Sequence, residues 1–170
     1  FMQTIWQDDA RFVNTYWKSI PDKLVYSTFD WGIRDADGYF FILGRTDDVI
    51  NVAGHRLSTG GMEEVLAGHP SVAECAVIGI ADALKGQVPL GLVVLKSGVT
   101  KPAADIETEC VGLVREKIGA VAALRTVAVV PRLPKTRSGK ILRGTMRKIA
   151  DKEAFKTPAT IDDPAILDEI

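Results

Sequence analysis

Ile106, Cys110, Leu113, Val114 and Ile118 recur at helical spacing, so one face of that helix is a continuous apolar stripe. Burying its four largest side chains contributes on the order of 6 to 12 kcal/mol before conformational entropy is charged, and the stripe must therefore lie against a sheet. Residues 72–80 and 88–95 read as strands separated by a polar loop at 82–87, and 126–130 reads as a third. Another helix starts at Ser58: Met62, Val65 and Leu66 share a face, and Glu63 and Glu64 are expected to point outward near its amino end. Gly68-His69-Pro70 closes it. An apolar run, 49–52, precedes this helix and ends in a turn at Ala53-Gly54-His55-Arg56; an irregular loop, 131–139, leads to a last helix at 141–150. The order β-β-α-β-β-α-β-α from about residue 48 predicts a small α+β domain with a mixed sheet packed by helices.

Upstream, Phe12, Val13, Tyr16, Trp17 and Ile20 mark a short amphipathic helix over 10–20, stopped by Pro21 and Asp22. Residues 24–29 read as a strand. Ile33 and Arg34 pass through Asp35-Ala36-Asp37-Gly38 into 39–43, a hairpin with a Gly-containing turn. This β-rich piece has little core of its own, and the polar stretch 44–48 places a domain boundary near Asp47, dividing the chain into 1–46 and 47–170. The opening at Phe1, mid-pattern with Trp6 close behind, is expected of a chain excised from something longer.

A formal net charge of -1 with 46% hydrophobic and 25% charged residues places the chain with globular proteins and argues against a nucleic-acid binder or a disordered chain. Cys75 and Cys110 lack the spacing of a structural metal site or a disulfide scaffold, which favours a reducing compartment. No apolar run reaches the roughly 20 residues of a membrane span, and the first residues lack the profile of a secretory signal. A cytoplasmic location without membrane association is the expectation.

Lys135, Arg137, Lys140, Arg143, Arg147, Lys148 and Lys152 face one acid, Asp151, within the same stretch. Such a run can be merely a solvated helix face. Here Pro131 and Pro134 stiffen the approach, Ser138-Gly139 permits a tight turn, and Lys140 stands just ahead of a helix amino terminus, an arrangement suited to an oxyanion or phosphate. The spacing differs from GxxxxGK[ST], so a phosphate-binding loop of the nucleotide-triphosphatase kind is rejected. Asp47 and Asp48, after Arg45, fit either turn capping or a hinge. Gly54 leaves backbone bare enough for a ligand to pass, or simply makes a hairpin turn. His55 has no triad-like neighbours, and His69 is expected to cap a helix or lie on the surface.

Three segments together resemble the adenylate-forming superfamily of acyl-CoA synthetases. Asp30 in STFDWG is similar to the acid of the STGD-type motif that binds ribose hydroxyls, although Phe29 and Trp31 depart from the small residues usual there. GRTDDVINVAGHR, residues 44–56, resembles the hinge motif and its following loop, and PKTRSGK, residues 134–140, the terminal motif with the adenylation lysine. The finer resemblance spans essentially the whole chain and is to short-chain members, on the propionate rather than the acetate side, through MQTIW, RFVNTYW, FDWGIRDADGY, DALKGQVP and TIDDPAILDEI.

The resemblance implies a carboxy-terminal mobile lid preceded by a β-rich tail of the large domain. It implies that Lys140 is catalytic in adenylation, that Asp30, Arg45 and Arg56 bind nucleotide, and that Asp47 is the pivot. Ala53, Gly54 and Arg115 would meet coenzyme A, with Ala53 standing where acetyl-CoA synthetases commonly carry Ser. A cation on main-chain carbonyls of Ala67, His69 and Val72 is implied more weakly. ATP with Mg2+, coenzyme A and a short-chain carboxylate are the implied substrates, and the amino-terminal AMP-binding domain is the implied partner. Lys140 is also the implied target of a lysine acetyltransferase and deacetylase. In the implied mechanism Lys140 serves the first half-reaction, and rotation about Asp47 brings the 53–56 loop in for the second. The competing readings are a polyanion-binding module using the basic last helix, and a carrier-type adenylating domain that hands an amino acid to phosphopantetheine.

Overall fold

The computed structural model describes residues 3–46 and 49–170. The chain divides into two compact units, Phe1–Asp47 and Asp48–Ile170.

In the first unit, α1 (Asp9–Tyr16) is shorter than its apolar pattern suggests. Asp8 caps it by accepting from the Arg11 N–H at 3.0 Å. The expected strand at 24–29 does not form. Its Ser27 N–H donates instead to the Tyr16 carbonyl at 2.7 Å, and Tyr26 stacks on Tyr16 with ring centroids 5.3 Å apart. Aromatic packing onto α1 has replaced sheet pairing. The hairpin of β1 (Asp30–Arg34) and β2 (Phe40–Arg45) forms as expected, and its turn is closed by the Asp35 carboxylate, which accepts from the Tyr39 N–H at 2.8 Å. Gly32 is obligatory, because a Cβ there would lie 2.4 Å from the Phe41 carbonyl oxygen.

The second unit is one mixed sheet covered on both faces. Its elements are β3 (Val49–Val52), β4 (His55–Ser58), α2 (Thr59–Ala67), β5 (Val72–Asp82), β6 (Gly86–Leu95), α3 (Ala103–Lys117), β7 (Thr126–Val129) and α4 (Arg143–Ala150). The sheet order is β4-β3-β6-β5, with β7 running parallel beside β6 and the other pairings antiparallel. Strand alternation sorts the core. Val77, Val93 and Val127 face α2 and α3, where Met62, Leu66, Ile106, Cys110 and Val114 are buried. Ala76, Ile78 and Leu92 face the other way, toward Met146 of α4, Val130 and Leu133. The stripe on α3 thus finds the sheet it requires.

Three local expectations are corrected. His55 and Arg56 belong to β4, and only Ala53 and Gly54 make the turn. The loop at 82–87 shrinks to three residues, because Asp82 pairs with Gly86 and its carboxylate accepts from the N–H groups of Leu84 (3.0 Å) and Lys85 (2.8 Å). Glu63 does not point outward. Its carboxylate accepts from the Val77 N–H at 2.8 Å and from Arg143, with Nη2 at 2.8 Å from Oε2, tying α2 and α4 around the free edge of β5.

Candidate functional site

Lys140 closes a five-residue turn that three local bonds hold together. The Thr136 N–H donates to the Lys140 carbonyl (2.8 Å), the Gly139 N–H to the Thr136 carbonyl (2.8 Å) and the Lys140 N–H to Thr136 Oγ1 (3.1 Å). Gly139 has φ +82°, the left-handed conformation this tight return needs. Buried Leu133 and Pro134 root the turn, and Lys135 Nζ pairs with Glu74 Oε1 at 2.7 Å. Lys140 itself is exposed, and among the described residues no ion pair engages its ammonium. A cation on a rigid turn without an internal partner is available to an anionic ligand.

Asp30 and Arg45 face each other across the β1–β2 hairpin as a register pair. Arg45 lies over the Phe29 ring at 5.8 Å. The two residues implied for the ribose therefore share one end of one hairpin. Asp47, the implied pivot, lies outside the described residues.

Ala53 (φ +49°) and Gly54 (φ +86°) form the two-residue turn between β3 and β4, both in the left-handed region that such hairpins use. Nothing lies within 4 Å of where a Gly54 Cβ would stand. The Ala53 N–H donates to the Lys85 carbonyl at 2.9 Å, joining this turn to the β5–β6 turn. Lys85 in turn lines a cleft of about 190 Å³ with Arg115, Arg125, Gly119 and Leu124, so Arg115 lies in a basic hollow that Ala53 adjoins only through its bond to the Lys85 backbone, and Gly54 is not part of its lining. Arg56 pairs with Asn51 in the same hairpin and is exposed. The sequence reading missed Lys85 and Arg125, which come from separate turns and meet only in the folded chain.

The anchor of the Lys140 turn, Glu74, and the Asp82–Gly86 turn that carries Lys85 into the cleft lie near opposite ends of β5. At ~3.3 Å per residue, the eight residues from 74 to 82 separate them by about 26 Å. The unit presents two cationic sites too far apart to serve one small acyl group together.

His69 is buried, contrary to expectation. Its Nδ1 accepts from the Ser71 N–H at 3.2 Å, which leaves the proton on Nε2, 3.2 Å from Glu109 Oε2. It is a structural tie from α2 to α3. Ala67 ends α2, where carbonyls gather at the negative pole of the helix. The His69 carbonyl also accepts from the Val72 N–H at 3.1 Å and retains one lone pair. The oxygen donors of Ala67, His69 and Val72 thus suit a hard cation in chemical type. Burial pushes the Cys75 and Cys110 thiols up to about 11, which makes both poor nucleophiles near neutral pH.

Arg132 grips two carboxylates of the carboxy-terminal segment: Nη1 lies 2.6 Å from Asp163 Oδ2 and Nη2 2.6 Å from Glu169 Oε1. The guanidinium holds both carboxyls below their ordinary range. Their ion pairs accordingly add stability above the unfolded carboxyl values of about 4, and lose it as pH falls through the lower folded values. An NMR titration is expected to place both midpoints below those of free carboxyls, and Arg132→Gln is expected to raise them.

Residues 61–140 match the family described as AMP-binding enzyme C-terminal domain. The chain is 54% identical to propionate–CoA ligase of Salmonella typhimurium over 173 residues, which is 99% of this chain and 27% of that protein. It superposes on the crystal structure of an ATP-bound RpMatB-BxBclM chimera with a TM-score of 0.73 at 25% identity, over 88% of this chain and 28% of that one. The anthranilate CoA ligase AuaEII, solved with anthranoyl-AMP, matches with a TM-score of 0.66 at 34% identity, over 77% of this chain and 25% of that one. The chain thus spans about a quarter of the relatives it matches.

Proposed function

We propose that this chain, whose residues 61–140 match the AMP-binding enzyme C-terminal domain and which is similar along nearly its whole length to a propionate–CoA ligase, is the carboxy-terminal lid of an AMP-forming ligase of the adenylate-forming acyl-CoA synthetases that converts propionate, ATP and coenzyme A to propionyl-CoA, AMP and pyrophosphate. The observation that carries this reading is the separation of two cationic sites on one compact unit, the Lys140 turn and the cleft lined by Lys85, Arg115 and Arg125.

In the first half-reaction a carboxylate oxygen attacks the α-phosphorus and the bond to the β-phosphate breaks, releasing pyrophosphate. Negative charge gathers between carboxylate and phosphate, and the Lys140 ammonium sits there to stabilise it. Asp30 and Arg45 hold the ribose, and Arg56 approaches the phosphates, whose charge Mg2+ shares. In the second half-reaction a turn about Asp47 replaces Lys140 with the Ala53–Gly54 turn and the β4 residues that follow it. The coenzyme A thiol sulfur then attacks the acyl carbon and AMP leaves. The backbone of Ala53 and Gly54 lines the path of the thiol arm, and Lys85, Arg115 and Arg125 meet the phosphates of coenzyme A.

Two further features support a missing partner domain and a cytoplasmic setting. The hairpin leaves Ile33, Tyr39, Phe40, Phe41 and Ile42 exposed, an apolar surface of the kind that large neighbouring domains cover. Both cysteines are free thiols. Lys140, exposed on its turn, is accessible to an acetyltransferase, and acetylation would remove the charge that the first half-reaction uses.

The test is AMP release by the enzyme with its amino-terminal AMP-binding domain, offered acetate, propionate and butyrate. Propionate is expected to give the highest kcat/KM, and a preference for acetate would overturn the substrate assignment. Lys85→Ala is expected to raise the KM for coenzyme A about fivefold, the equivalent of ~1 kcal/mol for one partly screened charge. Its rate of pyrophosphate release should stay unchanged.

A further inference from the structure

We infer that the carboxy-terminal segment 158–170 is the positioning strap of the Lys140 turn, and that Arg132 locks it in place. The inference rests on the adenylation role proposed above for Lys140.

After α4 the chain crosses an exposed stretch, 152–157, and returns to the strand that carries the turn. The Arg137 N–H donates to the Thr160 carbonyl (3.0 Å), the Asp162 N–H donates to the Lys135 carbonyl (2.9 Å), and Thr136 and Ile161 form an antiparallel bridge. On its other side the same strand bridges Lys135 to Ile141. The turn is therefore the bend of a three-stranded ribbon whose third member lies some 25 residues downstream. A bend with one partner strand can rock about that pairing, whereas one flanked on both sides is held in register.

The strap is fixed at three points. Ile161 and Ile166 are buried. Asp163 caps the short helix Pro164–Asp168 by accepting from the Ala165 N–H at 3.0 Å. Arg132, on the stretch leading to the turn, forks onto Glu169 through Nε (3.0 Å) and Nη2 (2.6 Å) and reaches Asp163 through Nη1 (2.6 Å). A single exposed ion pair would contribute little, but one guanidinium shared bidentately between two carboxylates forms a network with defined geometry. Those carboxylates have no other charged partner in this structure among the described residues. The strap touches none of the reacting atoms; its effect is on where Lys140 stands.

The experiment compares Arg132→Gln, the double variant Asp163→Asn with Glu169→Gln, and all three changes together. Amide hydrogen exchange on this chain reads the strap itself. Faster exchange at Arg137 and Asp162 is expected, with Val77 and Val93 in the sheet unchanged and the combined variant no worse than Arg132→Gln alone. Unchanged exchange at Arg137 and Asp162, or additive effects of the separate changes, would overturn the strap.

In the enzyme with its amino-terminal domain, Arg132→Gln is expected to slow propionate-dependent pyrophosphate release about 10- to 100-fold, the scale of a catalytic group displaced by about 1 Å. Conversion of supplied propionyl-adenylate to thioester should be unaffected, which a general loss of folding would not spare. If Lys140→Ala stops adenylation while Arg132→Gln leaves it intact, the strap inference fails and the role of Lys140 stands. If Lys140→Ala leaves adenylation intact, the role of Lys140 fails, and the inference that depends on it fails too.

Discussion

Lys140→Ala is expected to slow acyl-adenylate formation by about 100- to 1,000-fold, the equivalent of ~3 to 4 kcal/mol for one preorganised charge at the site where negative charge develops. The physical basis is the turn rather than the residue type alone. Seven basic residues lie between 135 and 152, yet Lys135 is paired with Glu74 and Arg143 with Glu63, so these two cations are already occupied. Lys140 stands on a bend held by three local bonds, rooted in buried Leu133 and Pro134. Removing its side chain leaves those backbone bonds in place. The thermal stability of the variant should match that of the parent, and its conversion of supplied propionyl-adenylate with coenzyme A to thioester should be unimpaired. Quantitative acetylation of Lys140 should give the same split, since it neutralises the ammonium without disturbing the turn. Full ATP-dependent activity of the acetylated protein would exclude acetylation as a control on this step.

Glu63→Ala is expected to cost about 2 to 4 kcal/mol in a urea-unfolding measurement of the chain. Glu63 is the common acceptor for the Val77 N–H and the Arg143 guanidinium, and the pair is only partly open to water, at 17% and 29% exposure. Alanine at this position leaves an edge-strand N–H and a half-buried cation without their shared carboxylate. Glu63→Gln keeps an acceptor for Val77 and should lose only about half as much. A loss below about 0.5 kcal/mol for Glu63→Ala would mean that water replaces the carboxylate freely.

The features that sequence reveals well are those that repeat along the chain. The α3 stripe of Ile106, Cys110 and Val114 repeats at helical spacing, and the strand pair β5–β6 is a dense apolar run broken by turn residues; both stand where expected. Failures arise where a side chain chooses a distant partner. Residues 24–29 have strand-like composition, but Tyr26 gains more by stacking on Tyr16. Glu63 occupies a position near the start of a helix that ordinarily faces water, and only the neighbouring strand edge explains why it turns inward. His69 looks like a helix terminator and proves to be buried between Ser71 and Glu109.

The candidate site divides in the same way. The Lys140 turn was legible because Pro134, Ser138 and Gly139 write it locally. The basic cleft was only half legible. Arg115 came by resemblance, whereas Lys85 and Arg125 stand 30 and 10 residues from it in sequence and converge through the β5–β6 turn and the segment after α3. The strap on the Lys140 turn left no local mark, since a bridge between Thr136 and Ile161 exists only after α4 has folded back.

The two ends of β5 are assigned to different half-reactions, and the decisive measurement sets Lys140→Ala beside Arg115→Ala in the enzyme with its amino-terminal domain. Each variant is assayed for propionate-dependent pyrophosphate release and for thioester formation from supplied propionyl-adenylate. The expected result is a crossing: Lys140→Ala loses the first and keeps the second, while Arg115→Ala keeps the first and requires more coenzyme A for the second. Equal losses of both half-reactions in either variant would contradict a lid that works from two separate sites.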